Sequence, residues 1–395
     1  MTVQDTLQAV RAHEDEFIAL RRDIHQHPEL PFEELRTSDL VAARLRDWGY
    51  HVERGLGGTG VVGQLKRGDG TRTLGLRADM DALPIQETTG LQYASRNQGV
   101  MHACGHDGHT AMLLAAAKVL AEQGDFSGTL NLIFQPAEEY GTSDCGAVRM
   151  MNDGLFDKYP CDAIFSMHNM PGWPQGHLIF REGPMMASSD KVYITLVGHG
   201  GHGAVPHKAA DPVVAAASLV MALQTVVSRN VDPLQTAVVT VGVLQSGRAN
   251  NVIPDSAHLE LSVRALDSEV RSLLQQRITE IAHAQAQSFG VKAEIDYRRG
   301  YAALVNSKDE TDFARQIGSE LVGAERVVPQ APPLTGSEDF AFMLEKCPGS
   351  YLLIGNGDGD KLGACMVHNP GYDFNDANLA IGAAYWALLA RRYLV

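Results

Sequence analysis

Short apolar runs that end in acidic residues or histidine recur along the chain. The segments TLGLRADMD, TLNLIFQPAEE and CDAIFSMHN follow this pattern, and GSYLLIGNG is a fourth apolar run. The first two flank HTAMLLAAAKVLAEQG, whose apolar spacing is helical. Buried strands that alternate with helices are typical of a largely parallel sheet, whose ligands collect at the carboxyl ends of the strands. The pattern therefore predicts an α/β fold with its functional site at that edge.

The segments before these strands are predicted to be mainly helical. DTLQAVRAHEDEFIALRRDIHQH has helical spacing and is interrupted by Pro28, and LRTSDLVAARLRDWG forms a second helix that stops at Gly49. The stretch VVGQLKR then forms a strand ahead of the turn GDGT.

The pattern changes between about residues 186 and 300. KVYITLVG, TAVVTVGVLQ, AHLELSVRAL and VKAEIDYRR are predicted strands, and two long helical segments lie between them in the order β-α-β-β-α-β. That order predicts a ferredoxin-like α+β domain, inserted at residues 186–300 into a first domain that spans residues 1–185 plus 301–395. A tandem arrangement, with everything after Met186 in one domain, is the alternative. Insertion is favoured because GSYLLIGNG and His368 fit the pattern of the first sheet.

Composition excludes several classes of partner. A formal net charge of -14 argues against nucleic acid and anionic membranes, which attract basic surfaces. No apolar run approaches the ~20 residues that span a bilayer, and MTVQDTLQAVRAHEDEF lacks the regions of a signal peptide. Five scattered cysteines do not form a disulfide framework, so the cytoplasm is the expected location. Two G-x-G-x-x-G matches lack the strand–turn–helix context of a dinucleotide site.

Residues that bind metals or move protons concentrate in MHACGHDGH. Cys104 and His106 stand two apart, and an extended backbone would point both the same way. Glu138 and Glu139 follow one strand, so that one can bind metal while the other acts as a general base. His168 ends another strand, and His368 follows a fourth. These ligands exceed the three that are typical of one catalytic zinc, which favours two metals with a shared bridging group.

Neighbouring polar residues are assigned supporting roles. Asp79 and Asp81 follow a strand, and Asp81 is expected to orient a ligating histidine. Asp107 is expected to support Cys104 and His106 or to cap a helix that begins near His109. The remaining histidines of this region are interpreted as structural or supporting residues, namely His25, His27, His102 and His109. GSEDF is interpreted as a helix start in which Ser337 caps a first turn containing Glu338 and Asp339.

Assembled in this order, the motifs resemble those of the di-metal N-acyl-amino-acid amidohydrolases, which include hippurate hydrolases, aminoacylases and auxin-conjugate hydrolases. The resemblance covers nearly the whole chain. It is carried by RRDIHQHPELPFEE, LRADMDALPI, MHACGHDGHTAMLL, FQPAEE, GHGGHGAVPHKAADP, NVIPD and TGSEDF.

The resemblance implies two divalent ions, zinc, manganese, cobalt or nickel, with Cys104 as the bridge. Their implied ligands are Cys104, His106, Glu139, His168 and His368, with Glu138 as the general base. The inserted domain would be a lid that forms a homodimer or a tetramer. In that lid, His202 is expected to stabilise the oxyanion at a partner subunit's site, and Asn251 and Arg264 are expected to contact substrate.

The implied reaction is hydrolysis of an N-acyl amino acid, hippurate-like or N-acetylated, by a metal-activated water. Many peptidase relatives have His-x-Asp and a bridging Asp, where this chain has Asp79-Met80-Asp81 and Cys104. That difference favours an amidohydrolase, with dipeptidase or carboxypeptidase activity on small peptides as the alternative. A cysteine hydrolase that uses Cys104 as its nucleophile and a non-enzymatic metal- or amino-acid-binding protein are further alternatives.

Overall fold

The computed structural model describes residues 2–395 and divides into two compact units, each with its own apolar core. The first unit comprises Met1–Gly183, Val305–Pro332 and Asp339–Val395. The second comprises Pro184–Leu304 and Pro333–Glu338. The second unit thus interrupts the first in sequence, and a tandem division of the chain is wrong.

The α-helices of residues 2–395 are numbered in chain order. They are α1 Val3–Arg11, α2 Glu14–Gln26, α3 Leu35–Asp47, α4 His106–Gln123, α5 Gly146–Asn152, α6 Leu155–Lys158, α7 Pro212–Asn230, α8 Ser268–Ser288, α9 Lys308–Val322, α10 Phe340–Leu344 and α11 Leu379–Tyr393.

The strands are numbered in the same way. They are β1 His51–Leu56, β2 Gly60–Arg67, β3 Thr73–Asp79, β4 Gly128–Gln135, β5 Ala163–Pro171, β6 Leu178–Ile179, β7 Gly183–Met186, β8 Asp190–Val197, β9 Gly201–His202, β10 Ala237–Ser246, β11 Val252–Ile253, β12 Ser256–Ala265, β13 Lys292–Arg299, β14 Leu304–Asn306, β15 Val327–Val328 and β16 Gly349–Gly357.

The first unit is built on an eight-stranded sheet in the order β1-β2-β4-β3-β5-β16-β6-β15. The four central strands β4, β3, β5 and β16 run parallel to one another, while β2 and β6 pair antiparallel with their inner neighbours. The central strands are buried on both faces, which explains their continuous apolar runs. This confirms the predicted α/β class with a mostly parallel sheet, and it brings four carboxyl strand ends to one edge.

Helix α4 begins at His106, three residues earlier than predicted, and is buried along nearly its whole length. The preceding Gly105 has φ 92°, and a Cβ there would meet Asn169 Nδ2 at 2.1 Å. Only glycine fits this left-handed, crowded position. Cys104 and His106 are therefore brought together by a tight turn into a helix, and the extended backbone assumed from their spacing is wrong.

The amino-terminal helix predicted as one piece is two helices, since α1 ends at Arg11 and α2 begins at Glu14. Helix α1 packs mainly on α11, whereas α2 packs mainly on α4. The apolar spacing continues across the break, and no helix-stop residue marks it in the sequence. The break instead coincides with the change of packing partner.

The second unit is a four-stranded antiparallel sheet in the order β10-β12-β8-β13, with α7 and α8 packed on one face. This is the ferredoxin-like order predicted from the sequence. Its limits differ from the predicted 186–300, because residues 333–338 join it. The N–H of Ala187 donates to the carbonyls of Leu334 and Gly336, and Arg264 Nη1 donates to Ser337 Oγ at 3.2 Å.

Helix α7 is long and apolar enough to cross a membrane by length and composition alone. The expectation that no apolar run is long enough to span a bilayer is therefore wrong. One such helix is weak support for a membrane span, since core helices pass the same test. Here Leu219 and Leu223 of α7 are fully buried in the core of the second unit.

Truncation of a buried residue of α7 should destabilise the second unit. We expect Leu219→Ala to lower the free energy of unfolding by about 2–5 kcal/mol, because the side chain is fully buried in the apolar core. Gln287→Ala, at an exposed position of α8 in the same unit, should change it by less than about 0.5 kcal/mol. Urea unfolding of both variants checks this, and equal effects would contradict the assigned core.

Candidate metal centre

Ligand atoms from four places along the chain meet at the carboxyl edge of the central strands. The thiol of Cys104 lies within 4.8 Å of ligand atoms of His106 and His168, and also within 4.8 Å of ligand atoms of Glu139 and His368. Cys104 is thus common to two groups of three ligands. All five sequence-predicted ligands therefore come together at this edge.

Hydrogen bonds orient the two buried imidazoles of this group. His106 Nδ1 donates to Asp81 Oδ1 at 3.1 Å, and His168 Nδ1 donates to the carbonyl of Asn169 at 2.5 Å. Each bond is donated by a protonated Nδ1, so each ring in its neutral form would bind a metal through Nε2. Asp81 therefore contacts His106 as the sequence interpretation expected.

The two glutamates lie on a short 3-10 turn, Glu138–Tyr140, that follows a left-handed Ala137 with φ 51°. The backbone is therefore not extended at the two glutamates. Ligand atoms of Glu138 and Glu139 lie within 4.8 Å of His106. Glu139 Oε1 accepts from His368 Nε2 at 2.9 Å, and its backbone N–H donates to Asp81 Oδ2 at 2.8 Å.

The acidic groups of the centre change the pKa values of its histidine and thiol. Burial alone would lower the pKa of His106, but Asp79 and Asp81 outweigh it and raise the pKa to about 10. Burial and the carboxylates of Glu139 and Glu138 raise the pKa of the Cys104 thiol well above its ordinary value. Protons on the ring and the thiol therefore balance the acidic groups when no metal is bound.

A divalent metal fits this donor set. Within residues 2–395, His106 Nε2 is buried without a hydrogen-bond partner, and it belongs to the groups of closely spaced ligand atoms. Burial of an unpartnered nitrogen is costly, and a metal ion would satisfy it. Thiolate, imidazole and carboxylate together suit zinc and its first-row neighbours.

Asp79 supports the site through His109. Its Oδ1 accepts from His109 Nδ1 at 2.6 Å, and its Oδ2 accepts from Arg77 Nη1 at 2.6 Å. The Nε2 atom of His109 accepts the backbone N–H of Asn169 at 3.0 Å, so His109 is a neutral ring with both nitrogens used. His109 is therefore a structural residue next to the ligand His168.

Two buried arginines below the site were missed by the sequence analysis. Arg77 Nη2 donates to Asp339 Oδ1 at 3.1 Å, and Arg21 Nη1 donates to Asp107 Oδ2 at 3.3 Å. Both guanidinium groups are fully buried. Arg77 lies inside a predicted strand and Arg21 inside a predicted helix. A single charged residue at a position that faces the core would have indicated a buried ion pair there.

The same contacts correct two interpretations. Asp107 was expected to support Cys104 and His106 or to cap the helix. Its carboxylate instead binds His25 Nδ1 at 2.9 Å and Arg21, and α4 begins without a side-chain cap. Asp339 was expected in a first turn capped by Ser337, but it lies before the helix, is fully buried and accepts from Gln135 Nε2 at 2.8 Å. Helix α10 begins after it, at Phe340, without a side-chain cap.

The predicted lid residues all lie in the second unit. His202 pairs with Val252 across the short ladder of β9 and β11, which places it beside the backbone of Asn251. His202 is exposed, and its Nδ1 accepts the N–H of Ala204 at 3.0 Å, which leaves the proton of the neutral ring on Nε2. Arg264 is half-buried on β12, away from this ladder.

Metal affinity should rise with pH, because binding displaces the proton of His106, whose pKa is about 10 without metal. Each displaced proton makes the affinity about tenfold higher per pH unit below that pKa, and the thiol of Cys104 contributes a second proton. Titrations of the metal-free protein with Co²⁺ between about pH 6.5 and 8.5, in non-chelating buffers, check this. An affinity that does not change with pH would contradict the assigned protonation.

Comparison with known proteins places the chain in a family. A sequence profile of peptidase family M20/M25/M40 matches residues 75–392. Hippurate hydrolase of Campylobacter jejuni subsp. jejuni serotype O:2 is 47% identical over 379 residues, which cover 96% of this chain and 97% of that protein. N-acetyl-L-cysteine deacetylase of Bacillus subtilis strain 168 is 40% identical, covering 94% and 86%. The crystal structure of Bacillus subtilis YXEP protein, a dinuclear metal binding peptidase, matches with a TM-score of 0.83 at 32% identity and covers 97% and 99% of the two chains. This chain therefore belongs to peptidase family M20/M25/M40.

Proposed function

We propose that this chain hydrolyses the amide bond of N-acyl amino acids and releases a carboxylate and a free amino acid. The observation that carries the proposal is the meeting of five ligand side chains with Glu138 at one edge of the sheet. The hippurate hydrolase and the N-acetyl-L-cysteine deacetylase among its relatives support the N-acyl amino acid as the substrate class.

Two divalent ions would be held by Cys104, His106, Glu139, His168 and His368. When bound, they supply Lewis-acid polarisation of the amide carbonyl and make a water molecule more acidic. The mixed thiolate, imidazole and carboxylate donors are compatible with zinc, manganese, cobalt or nickel. These metals accept similar ligands and differ mainly in their affinity for such sites.

Glu138 is the proposed general base. It is buried, and its carboxylate lies within 4.8 Å of ligand atoms of His106 and Glu139. From this position it would take a proton from the attacking water and deliver it to the departing amine. Glu139, its neighbour, is engaged by His368 and keeps a pKa below its ordinary value, because the histidines outweigh the effect of burial.

His202, Asn251 and Arg264 are proposed to contact the substrate. The exposed Nε2–H of His202 can donate a hydrogen bond to a developing oxyanion. Burial lowers the pKa of Arg264, and its guanidinium still carries a charge that suits a substrate carboxylate.

A cysteine hydrolase is less well supported. Cys104 Sγ and His168 Nε2 lie 3.2 Å apart, as a thiol and its base would. A nucleophilic cysteine needs a lowered pKa in an electropositive environment. Here, carboxylates and burial raise the pKa of Cys104, and burial followed by His109 lowers the pKa of His168. Both shifts oppose formation of a thiolate–imidazolium pair.

We also propose that the second unit forms a homodimer. Helix α7 exposes Val213, Val214 and Met221, and β10 is an edge strand of the four-stranded sheet. A second copy would cover this apolar face and pair the open edge. A cytoplasmic location is proposed as well, supported by five free cysteine thiols.

Glu138→Gln should lower kcat by about 10²–10⁴-fold, the usual contribution of a general base. The metal content should stay that of wild type, since the substitution keeps the volume of a residue outside the proposed ligand set. The measurement is turnover of a panel of N-benzoyl and N-acetyl amino acids and dipeptides, with metal analysis of each preparation.

Glu139→Gln is the matched control for Glu138→Gln and should lose metal together with activity. EDTA should abolish the activity of wild type and Co²⁺ should restore it, whereas a cysteine hydrolase would survive chelation. The proposal is contradicted if the metal-loaded wild type turns over no acyl amino acid, or if Glu138→Gln stays within about tenfold of wild type.

Met221→Glu should weaken the proposed dimer, because it places a charge in the centre of the apolar face of α7. Sedimentation velocity should show a dimer for wild type and a shift to monomer for the variant. Gln287→Glu adds the same charge at an exposed position of α8 and should leave the dimer intact. A wild-type monomer, or equal sedimentation of the two variants, would refute the interface.

A further inference from the structure

Two left-handed residues are bound by one carboxylate oxygen of Glu34. Within residues 2–395, three non-glycine residues have positive φ: Phe32 at 67°, Ala137 at 51° and His368 at 64°. Glu34 Oε1 accepts the backbone N–H of Ala137 at 2.8 Å and that of Phe32 at 3.0 Å. Left-handed backbone is unfavourable for residues that carry a Cβ, so these two turns need such external support.

The turn that follows Ala137 carries Glu138 and Glu139, and it is bound at several points. Glu34 holds the N–H of Ala137, the N–H of Gly146 donates to the carbonyl of Ala137 at 3.2 Å, and Asp81 holds the N–H of Glu139. Both carboxylates lie in the first unit. Glu34 thus binds the backbone N–H at the start of the turn, and Asp81 binds the backbone N–H near its end.

The carboxylate of Glu34 is itself rigidly placed. The residue is fully buried, and its second oxygen accepts from Thr59 Oγ1 at 2.5 Å. The ring of Phe32 packs edge-on against Tyr140, the residue after Glu139, with centroids 4.9 Å apart. The amino-terminal segment therefore contacts the turn on both sides of the two glutamates.

Glu34 lies outside the part of the chain that matches the family profile, which begins at residue 75. In the sequence it is one of an acidic pair, Glu33-Glu34, before a helix, and such a pair is usually solvated. Glu33 is exposed, whereas Glu34 turns into the protein.

We propose that Glu34 is a positioning residue that acts through Ala137 to aim Glu138 and Glu139 into the metal centre. This inference rests on the proposed function for the role of Glu138 and on the ligand set for Glu139. The proposed role requires a side chain at position 34 that is long enough to place one acceptor oxygen at the N–H of Ala137. A negative charge is not required, and burial together with Asp81 in fact raises the pKa of Glu34 to about 7.

Two substitutions distinguish the effect of side-chain length at position 34 from the effect of its negative charge. Glu34→Gln keeps the length of the side chain: its oxygen can accept from Ala137 and Phe32, and its amide can donate to Thr59. Glu34→Asp keeps the carboxylate but is one methylene shorter, so it cannot span the same distance to Ala137. Glu29→Ala is the control for stability, because the Glu29 carboxylate caps α3 through the N–H groups of Arg36 and Thr37.

The first readout is steady-state kinetics on the best N-acyl amino acid. We expect Glu34→Asp to lower kcat at least about tenfold with KM within about twofold, since a displaced base affects the chemical step. Glu34→Gln and Glu29→Ala should keep kcat within about twofold of wild type. Thermal unfolding of each variant shows whether a loss of stability accompanies a loss of rate.

The second readout is Co²⁺ affinity and the absorption spectrum of the Co²⁺ protein, which need no substrate. Glu34→Asp should weaken Co²⁺ binding about tenfold and alter the spectrum, because Glu139 shifts with the turn. Glu34→Gln and Glu29→Ala should match wild type in both.

Each outcome decides the proposal. Glu34→Asp equal to wild type in kcat and Co²⁺ affinity would overturn it. So would a loss in Glu34→Gln as large as that in Glu34→Asp, since charge or stability would then be the property that matters. If wild type turns over no acyl amino acid while the Co²⁺ affinities and spectra follow the expected order, the proposed function fails and the role of Glu34 stands.

Discussion

The carboxylate of Asp81 joins two parts of the metal centre that are distant in sequence. One oxygen accepts from the ring of His106 at the start of α4, and the other accepts the backbone N–H of Glu139 after β4. A buried carboxylate must recover the hydrogen bonds that it loses on leaving water. Here the donors that satisfy Asp81 belong to the ligands themselves. Satisfying the anion therefore also fixes the ring and the turn that would hold the metal.

The same rule extends below the site. Asp79, Asp107 and Asp339 are buried, and each is bound by a buried arginine or histidine. Arg77 links Asp79 to Asp339, and Arg21 holds Asp107 from the side of α2. These ion pairs contribute orientation more than net stability, since the cost of burying charges offsets much of their attraction. Their presence explains how so many acids are tolerated in the interior of a protein with a strongly negative net charge.

Much of the fold, and the meeting of the candidate ligands at one edge of the sheet, could be predicted from sequence. Strand β16 has the bounds of the run GSYLLIGNG, and β3 those of TLGLRAD, because a strand buried on both faces leaves a continuous apolar run. The polar residues at the ends of such runs could then be assigned to one edge. The role of Glu34 could not be predicted. An acidic pair before a helix has the same sequence whether one of its members is buried or both are solvated. Asp107 was misassigned for a similar reason: its partners His25 and Arg21 lie more than eighty residues away.

The sequence by itself determined the class of fold, the order of elements in both units and the types of side chain available for metal and proton chemistry. These follow from local properties, namely apolar periodicity, turn residues and the chemistry of thiol, imidazole and carboxylate. Only the tertiary structure decided which acid holds which ligand, that the backbone at Gly105 and Ala137 is left-handed, and that residues 333–338 belong to the second unit. Those features depend on contacts between segments far apart in the chain. Backbone strain and buried charge are tolerated only where such contacts supply the compensating hydrogen bonds.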